Sequence, residues 1–433
     1  MIERYTRPAM RDLWAEKTKF SVWLEVELFA AEKMAQMGLI PKGAPARMRR
    51  RARFDVRRIV KLEETTRHDV IAFLKDVGRH LGDDEKYLHY GLTSSDVVDT
   101  AQSVRMVRAG ELLLKELKFP IAHTARLARR YVKTPIAGRT HGVFAEPTSL
   151  GLKFALWHAD LKRGRRRLQT AIDTISVGKM SGAVGNFAHL DPRVEAYVCR
   201  KLKLRPAPIS TQVLQRDRHA EYLFAIAALG ATLEKIAQEI RLLHRTEVAE
   251  IAEGFAPGQR GSSSMPHKKN PIHCERICGL ARVLRGHVVT ALENVALWHE
   301  RDITHSSAER VIIPDATTLL DYMLGLLELV LTGLKIDTDR MEANLTRLGG
   351  AVYSQKLLLA LAERLGSRDK AYPIVQRLAL GSGPDSPFEE RVRGDRIIQS
   401  HLSAKELDQV FDWRPYLRRA PLILKRALSD SSR

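Results

Sequence analysis

Residues 218–251 read RHAEYLFAIAALGATLEKIAQEIRLLHRTEVAEI, a stretch with no proline, a single glycine and apolar residues throughout. The spacing of the apolar residues predicts one helix, about 50 Å long at about 1.5 Å per residue. Leu, Ile and Ala occupy much of its circumference, so other helices must cover it on most sides. The stretch therefore predicts a bundle of long helices. It also predicts an oligomer, because one subunit is not expected to supply enough neighbouring helices.

The rest of the chain has the same helical periodicity, and no stretch shows the sustained alternation of a strand. Further helices are predicted at 20–38, at 101–134 with a kink at Pro120, at 147–175, at 273–298, and at 306–334 with an interruption at Pro314. The predicted fold is therefore all-α, a three-lobed subunit with a central bundle of long helices. The lobes are predicted at residues 1–92, 93–341 and 342–433.

The composition indicates a folded protein of a reducing compartment. Of the 433 residues, 44% are hydrophobic and 28% are charged, which is typical of a globular protein with a sizeable core. The three cysteines, Cys199, Cys274 and Cys278, are odd in number and cannot form a disulfide framework. The N-terminus lacks the apolar core of a signal peptide, and the most apolar stretch, 322–334, is short for a bilayer and contains Glu328. We therefore expect a soluble cytoplasmic protein with no membrane partner.

The formal net charge of +20 suits nucleic acid, an anionic membrane surface or small polyanionic substrates, and it does not choose among them. Basic runs at 47–58 (RMRRRARFDVRR) and 162–167 (KRGRRR) are compatible with RNA binding. Solvated helix faces explain these runs better, because neither run is interleaved with the aromatic residues on which single-stranded bases stack. We therefore expect no nucleic-acid partner.

Four polar stretches interrupt the helical pattern: TRHDV (66–70), HYGLTSSDVVDTA (89–101), GRTHGVFAEPTS (138–149) and GSSSMPHKKNP (261–271). In the second stretch, Thr93, Ser94 or Ser95 can cap a helix that has Asp96 in its first turn. A helix N-terminus of this kind is also a ready anion site, because its first N–H groups are free. A plain N-cap explains Ser94 equally well.

The last two stretches carry residue types suited to proton transfer. His141 stands between polar residues and a glycine, just ahead of a helix predicted to begin at Pro147. In the fourth stretch, three serines lie beside Lys268 and Lys269 after Gly261. Ammonium groups and backbone N–H donors would stabilise an alkoxide, or a carboxylate whose neighbouring carbon is losing a proton. A flexible linker with helix-cap residues is the alternative explanation of this composition.

A metal site is not expected. His267, His273, Cys274 and Cys278 lie near one another in the sequence, but no second paired cluster accompanies them and Pro271 separates His267 from the helix. Walker A, GxGxxG and GxSxG motifs are also absent from the sequence. Their absence argues against a P-loop nucleotide hydrolase, a dinucleotide enzyme and an α/β-hydrolase.

GSSSMPHKKNP resembles the signature loop of the fumarase/aspartase superfamily, whose members eliminate fumarate from succinyl compounds. GRTHGVFAEP, HYGLTSSDVVDTA and WHERDITHSSAER (298–310) narrow the resemblance to the adenylosuccinate lyase family. Fumarases and aspartases typically have Gly where His267 stands, and argininosuccinate lyases typically have Gln. The likeness extends from ERYTRP near the N-terminus to about residue 360 and is weaker beyond it. Ser264 and Lys269 differ from typical relatives but stand beside the key positions.

The resemblance implies a carbon–nitrogen lyase of purine nucleotide biosynthesis that works without a cofactor. Such enzymes split adenylosuccinate into AMP and fumarate, and they also split the succinylated aminoimidazole carboxamide ribotide that occurs one stage earlier. By motif position, Ser262 is the general base that takes the β-proton, and His141 is the general acid that protonates the departing nitrogen. His68 resembles a second family histidine of the catalytic site, near the substrate phosphate or near the general acid. Glu275 matches a catalytic-site position and is expected to orient His141.

The remaining matches imply contacts with a substrate that carries a phosphate and two carboxylates. Lys268 would meet the charge that builds up on the reacting carboxylate, together with Asn270, Ser263 and the Thr93–Ser94 turn. His89 matches a position that supports the site. The other expected substrate contacts are Arg4, Tyr5, Arg67, Asp69, Gln212, Arg276, Arg301, Ser306 and Arg310. In the family, three subunits of a homotetramer contribute to each site, so a homotetramer is expected here too.

Three alternatives remain beside this interpretation. Another superfamily member, such as an argininosuccinate lyase, is disfavoured by His267 and by the RTHG motif around His141. An RNA-binding helical protein would bind its partner with an affinity that falls steeply with salt. A non-catalytic relative with a structural role is disfavoured because Ser262, His141 and Lys268 are all present.

Overall fold

A computed structural model describes residues 2–255, 258, 261, 264–383 and 385–429 of the chain. Helices dominate these residues, and the strands are only two to seven residues long. The predicted all-α fold is therefore confirmed. The helices up to residue 130 are α1 (Pro8–Trp14), α2 (Glu16–Gln36), α3 (Ala44–Arg51), α4 (Val56–Thr66), α5 (Asp69–Gly78), α6 (Ser94–Glu116) and α7 (Lys118–Arg130).

The longest helices follow in the middle of the chain, and shorter ones fill its C-terminal part. The middle helices are α8 (Leu150–Ile175), α9 (Pro192–Lys201), α10 (Asp217–His244), α11 (Ile272–Glu293) and α12 (Thr304–Gly333). The C-terminal helices are α13 (Thr338–Thr346), α14 (Ser354–Leu365), α15 (Arg368–Leu380), α16 (Phe388–Gly394), α17 (Arg396–His401), α18 (Ala404–Val410) and α19 (Ala420–Leu428). Short 3-10 helices cover Glu3–Tyr5, Gly82–Tyr87, Ala351–Tyr353 and Arg414–Leu417.

Three small two-stranded sheets complete the described structure. The strands are β1 (Pro135–Thr140), β2 (Val143–Ser149), β3 (Val177–Gly178), β4 (Arg205–Pro206), β5 (Ile251–Ala252) and β6 (Lys335–Ile336). β1 and β2 pair antiparallel, β3 and β4 pair parallel, and β5 and β6 pair antiparallel.

The stretch 218–251 forms α10, which begins at Asp217 and ends at His244 rather than at residue 251. The chain leaves the helix because Ile251 and Ala252 pair with Ile336 and Lys335 across two strands. The long apolar helix is otherwise as predicted. Its fully buried side chains include Tyr222, Ile226, Leu229, Leu233 and Ile236, which recur every three or four residues and so line one face of the helix.

Two of the predicted proline effects are wrong. The stretch 101–134 is not one kinked helix, since α6 ends at Glu116 and α7 begins at Lys118. Pro120 lies in the first turn of α7, where its missing N–H removes no intrahelical bond. α12 in turn continues through Pro314 without a break.

The stretch 138–149 is a β-hairpin, and the prediction of a helix beginning at Pro147 is wrong. Thr140 pairs with Val143 across the turn, and Pro147 lies within β2, opposite Ala137. α8 begins only at Leu150. The sequence does not show this hairpin by alternation, because its β1 strand contains a glycine and an irregularity between Ala137 and Arg139.

The chain forms two compact units. The first consists of Met1–Lys118, Arg163–Glu234 and Arg276–Leu326, and the second consists of Phe119–Lys162, Lys235–Glu275 and Leu327–Arg433. The three lobes expected from the sequence stay a prediction. In the first unit, the aromatic side chains of Phe20, Trp23 and Phe73 pack together, with Phe20 and Phe73 stacked at 5.7 Å between ring centroids.

The second unit has an apolar core of its own among the C-terminal helices. Phe388 is fully buried there, and its ring lies 6.2 Å from that of Phe411. The β1–β2 hairpin packs against α13 in the same unit. This hairpin carries His141, the predicted general acid.

One described helix, α12, is long and apolar enough to cross a membrane by length and composition. However, 67% of its most apolar stretch is buried inside the protein. The core helices of soluble proteins commonly meet the same criterion, so α12 is weak evidence for a membrane span.

Candidate active site

The N-terminus of α6 is built around a buried ion pair. Thr93 is the N-cap residue, and its backbone N–H donates to Asp96 Oδ2 over 2.9 Å. The other oxygen of Asp96 accepts from Lys179 Nζ at 2.5 Å and from the backbone N–H of Gly182 at 3.2 Å. The predicted cap is therefore confirmed at Thr93, and Ser94 is the first helical residue. Neither side chain of the Lys179–Asp96 pair is exposed, so a buried ion pair fixes the N-terminal end of α6.

His89 is held just ahead of this helix by a buried carboxylate. Glu27 accepts both from the backbone N–H of His89, at 2.8 Å, and from its Nδ1, at 2.6 Å. Burial lowers the pKa of His89, but the hydrogen bond and the charge of Glu27 outweigh it, so the pKa is raised. The backbone of His89 is left-handed, with φ 59°. These contacts fix the backbone and the ring of His89 four positions ahead of the N-cap residue Thr93.

The stretch 66–70 forms a tight corner between α4 and α5. Arg67 ends α4 with a left-handed backbone (φ 52°), and His68 is the N-cap residue of α5. Asp69 Oδ2 accepts from Arg310 Nη2 at 2.6 Å, and His68 Nδ1 lies 3.6 Å from Asp69 Oδ1. Burial raises the pKa of Asp69, but its bond to Arg310 outweighs this, so the pKa is lowered. His68, Asp69 and Arg310 are thus brought together.

The segment before α12 brings another predicted pair together. Arg301 Nη1 donates to Gln212 Oε1 over 2.8 Å, and the backbone N–H of Gln212 donates to Glu300 O over 3.3 Å. Asp302 accepts from the backbone N–H groups of Trp298 and Thr304, which closes the turn that starts α12. Ser306 follows in the first turn of the helix and is half-buried.

A tyrosine that the sequence analysis did not single out joins two more predicted residues. Tyr322 Oη accepts from Arg276 Nη1 at 2.6 Å. The ring of Tyr322 also lies 5.1 Å from the ring of Tyr5 between centroids. Arg4, beside Tyr5, is exposed. No pattern in the sequence points to Tyr322, because it lies within an ordinary apolar stretch of α12.

In the second unit, His141 lies at the tip of the β1–β2 hairpin. His141 has φ 55° and Gly142 has φ 79°, the two positive values that a type I′ turn requires. Arg139, two residues before, donates to both oxygens of the buried Glu250, at 2.9 and 2.7 Å. The imidazole of His141 is therefore presented in the open on an anchored turn.

The signature loop is only partly described. Ser262 and Ser263, predicted as the base and a substrate contact, lie outside the described residues. Asn270 Nδ2 donates to Gly261 O at 2.9 Å, and a Cβ on Gly261 would lie 2.1 Å from Lys268 O, so only glycine fits there. Lys268 is exposed.

The end of this loop is fastened by a residue that the sequence analysis missed. Glu253, almost fully buried, accepts from the backbone N–H groups of His273 and Cys274, at 3.2 and 3.0 Å, and from His273 Nδ1. These bonds satisfy free donors at the start of α11. Glu275 lies in the first turn of that helix and is exposed.

Nothing in the described residues forms a metal site. Across residues 2–255, 258, 261, 264–383 and 385–429, no three His, Cys, Asp or Glu side chains are grouped as ligands would be. Cys199, Cys274 and Cys278 are buried and form no disulfide. In the first unit, the described residues instead offer arginines and helix N-termini, which are groups that bind anions.

Comparisons with known proteins agree with this chemistry. Residues 3–286 match the lyase family, and residues 350–427 match the adenylosuccinate lyase C-terminus family. Two curated adenylosuccinate lyases, from Bacillus subtilis and Thermotoga maritima, are each 48% identical over 427 residues, covering 98% of this chain and 99% of theirs.

Solved structures show the same fold. A fumarate lyase from Mesorhizobium sp. BNC1 superimposes with a TM-score of 0.90 at 28% identity, covering 99% of both chains. A 3-carboxy-cis,cis-muconate lactonizing enzyme from Pseudomonas putida has a TM-score of 0.90 at 29% identity, covering 98% of this chain and 96% of the other. The chain is therefore an enzyme of the lyase class with the fold of the fumarase/aspartase superfamily. Within that class it belongs to the adenylosuccinate lyase family, whose members act on carbon–nitrogen bonds.

Proposed function

We propose that this enzyme splits adenylosuccinate into AMP and fumarate, and that it splits succinylated aminoimidazole carboxamide ribotide in the same way. The observation that carries the proposal is the 48% identity to two adenylosuccinate lyases over nearly the whole chain. Both substrates carry a phosphate and two carboxylates. The arginines and helix N-termini described above are the groups that bind such anions.

The proposed reaction is a β-elimination without a cofactor. Ser262 takes the proton from the carbon next to the carboxylate, and the electrons of that C–H bond move onto the carboxylate oxygens. Lys268 and Asn270 stabilise the added charge, with Ser263 and the N-terminus of α6. The C–N bond then breaks and His141 protonates the departing nitrogen. The open position of His141 at the hairpin tip supports this role, because an acid must reach the nitrogen.

The supporting groups follow the same logic. We propose that His68 shares the proton transfer and that Glu275 orients His141. His89, Arg67, Arg4 and Tyr5 would hold the substrate with the other predicted contacts. In the first unit, the pairing of Asp69 with Arg310 and of Gln212 with Arg301 supports this assignment, since each pair would present a fixed donor to an anion.

We also propose a cytoplasmic homotetramer in which three subunits complete each site. Apolar side chains stand open on the long helices of the first unit, including Val289 at 62% exposure, Leu292 at 58% and Phe224 at 56%. Large apolar side chains that stay exposed on one subunit support contacts with other subunits. Light scattering of the purified protein tests this, and a monomer that is active would contradict it.

Nucleic acid is not a proposed partner. Several arginines of the run at 47–58 are engaged by carboxylates, since Arg47 lies 2.7 Å from Asp84 and Arg49 lies 2.5 Å from Glu32. Ion pairs of this kind support a structural use of the basic residues. A gel-shift assay with RNA at physiological salt should give no tight complex.

The first experiment follows the ultraviolet absorbance of adenylosuccinate mixed with the purified protein. The wild type should remove the succinyl-purine band, and Ser262→Ala should lose most turnover while still binding the substrate. Ser264→Ala, two residues along the same loop, is the matched control and should keep most activity. Near-normal turnover of Ser262→Ala would move the base to another group, and inactivity of a folded, oligomeric wild type would refute the proposed activity.

A further inference from the structure

In the first unit, a buried arginine outside the predicted site donates all of its guanidinium N–H groups to neighbouring residues. The side chains of Arg216, Asp99 and Glu309 are only 2%, 5% and 9% exposed. Arg216 Nη1 and Nη2 donate to Asp99 at 2.5 and 3.0 Å, and Nε and Nη2 donate to Glu309 at 2.9 and 3.1 Å. Nη1 also donates to Leu214 O at 2.8 Å. These five contacts match the five N–H groups of a guanidinium.

The partners of Arg216 lie on three separate segments. Asp99 belongs to α6, Leu214 to the loop before α10, and Glu309 to α12. The backbone N–H of Leu214 also donates to Asp99 Oδ2 at 2.8 Å. The backbone of Leu214 is therefore bonded both to Arg216 and to Asp99. One side chain therefore connects two helices and the loop before a third.

Each of these segments carries residues proposed to contact the substrate. α6 begins with Ser94, five positions before Asp99, and the loop contains Gln212, two positions before Leu214. In α12, Glu309 directly precedes Arg310 and follows Ser306 by three positions, one helical turn. The contacts of Arg216 thus lie within five positions of the proposed substrate-binding side chains on every segment.

Two further buried groups border the cluster and are neutral. His219 and His305 are 2% and 3% exposed, and both ring nitrogens of His219 have no hydrogen-bond partner among the described residues. Burial and the charge of Arg216 lower the pKa of His219 to about 3 and that of His305 to about 4. Arg216 is therefore the charged partner of Asp99 and Glu309 here.

Stability alone is a weak reason for such a cluster, because well-packed apolar residues often replace buried ion pairs without loss. A guanidinium with two bidentate carboxylates does fix distances and angles, which apolar packing does less well. We propose that Arg216 is a positioning residue, which sets the arrangement of the α6 N-terminus, the Gln212 loop and the α12 N-terminus so that they bind the anionic substrate together. This inference rests on the proposed function, since it concerns the same site.

The decisive variant is Arg216→Lys, which keeps the charge but has only three donors on one nitrogen and cannot form a bidentate pair with each carboxylate. We expect the KM for adenylosuccinate and the dissociation constant for AMP to rise about tenfold, and kcat to change less than about threefold, because ground-state alignment is lost. AMP binding is measured by calorimetry and needs no turnover. Arg47→Lys, which alters another bidentate arginine–aspartate pair of the same unit, is the matched control and should leave both constants within about twofold.

Circular dichroism and light scattering must first show that Arg216→Lys is folded and assembled like the wild type. If it is, unchanged KM and AMP affinity overturn the inference. If it is not, Glu309→Gln takes its place, since the amide keeps one acceptor for Arg216 and should raise both constants by about threefold. Unchanged constants in Glu309→Gln then overturn the inference. A wild type that is folded but binds neither AMP nor adenylosuccinate would instead refute the proposed function.

Discussion

Arg310 Nη2 lies 2.6 Å from Asp69 Oδ2, which joins the second turn of α12 to the first residue of α5 within the first unit. The side chain of Arg310 is 57% exposed while that of Asp69 is 15% exposed. The carboxylate of Asp69 is therefore mostly buried. It holds the guanidinium of Arg310 in one orientation, and that guanidinium remains exposed to solvent. Asp69 already restricts this arginine before a ligand arrives. The remaining N–H donors can therefore bind an anion with little further loss of side-chain entropy.

Removing the guanidinium should weaken substrate binding more than it slows the reaction. We expect Arg310→Ala to raise the KM for adenylosuccinate about tenfold or more, because one charge-assisted contact is lost. Asp69→Asn keeps an acceptor for Arg310 and should raise KM only about threefold. Initial rates over a range of substrate concentrations measure both effects.

The control for Arg310→Ala is Arg50→Ala, which removes an exposed arginine from α3. It changes the net charge by the same amount, so it separates a local contact from general electrostatic attraction. An equal rise of KM in both variants would show that Arg310 acts only through net charge.

The hairpin that presents His141 should depend on Gly142. Gly142 has φ 79°, and a Cβ there would meet no described atom within 4 Å, so substitution acts through the backbone alone. We expect Gly142→Ala to lower the free energy of unfolding by about 1 kcal/mol and to lower kcat, because the strained turn displaces His141. Chemical denaturation and steady-state kinetics measure the two effects.

Gly394→Ala is the matched control for Gly142→Ala. Gly394 also has open space around its Cβ position among the described residues, but its φ is not positive. It lies at the end of α16, away from the hairpin in sequence, and the substitution should change kcat by less than about twofold. A normal kcat in Gly142→Ala would mean that the turn does not set the position of His141.

The Arg216 cluster predicts a specific pH dependence of stability. Burial and the charge of Asp99 raise the pKa of Glu309 from 4.5 to about 7, although Arg216 opposes the shift. Between these two values the unfolded chain releases the proton and the folded protein keeps it. The contribution of Glu309 to stability is therefore present below about pH 4.5 and is lost as the pH rises towards 7, by up to about 3 kcal/mol.

Glu309→Gln removes this titration and tests it. From pH 5 to pH 7.5, the wild type should lose unfolding free energy relative to Glu309→Gln. Asp99 and His219 titrate in both proteins, so their effects cancel to first order. Denaturation at one protein concentration measures the difference, and a difference independent of pH would show that Glu309 ionises normally in the folded protein.

Several parts of the site were predictable from residue types alone. A helix cap among Thr93, Ser94 and Ser95 follows from the hydroxyls ahead of Asp96, and a break between helices follows from the polar stretch around His68. Hydrogen bonds between residues close in sequence determine helix caps and breaks, so a few consecutive residues are enough to predict them. The role of Tyr322 was not predictable, because its partners Tyr5 and Arg276 lie on other segments.

The hairpin at 135–149 shows the limit of the local approach. A glycine, a proline and an irregular register hide the alternation of its strands, and the proline reads as a helix start. Strand pairing stabilises the segment in the folded chain, and helical propensity does not measure that pairing. The wrong prediction concerned the element that carries His141. His141 remains the candidate residue, but it lies on a hairpin turn and not ahead of a helix.

By itself, the sequence determined the all-α class, a long apolar helix within 218–251 and the polar stretches that carry the candidate site residues, because each depends on periodicity or on neighbouring side chains. Only the tertiary structure decided which charges meet. Arg216 finds Asp99 and Glu309 at separations of 117 and 93 residues, and Asp69 finds Arg310 at 241. Buried and half-buried ions must be paired, but the partner is chosen by how the helices pack, and that choice leaves no pattern along the chain.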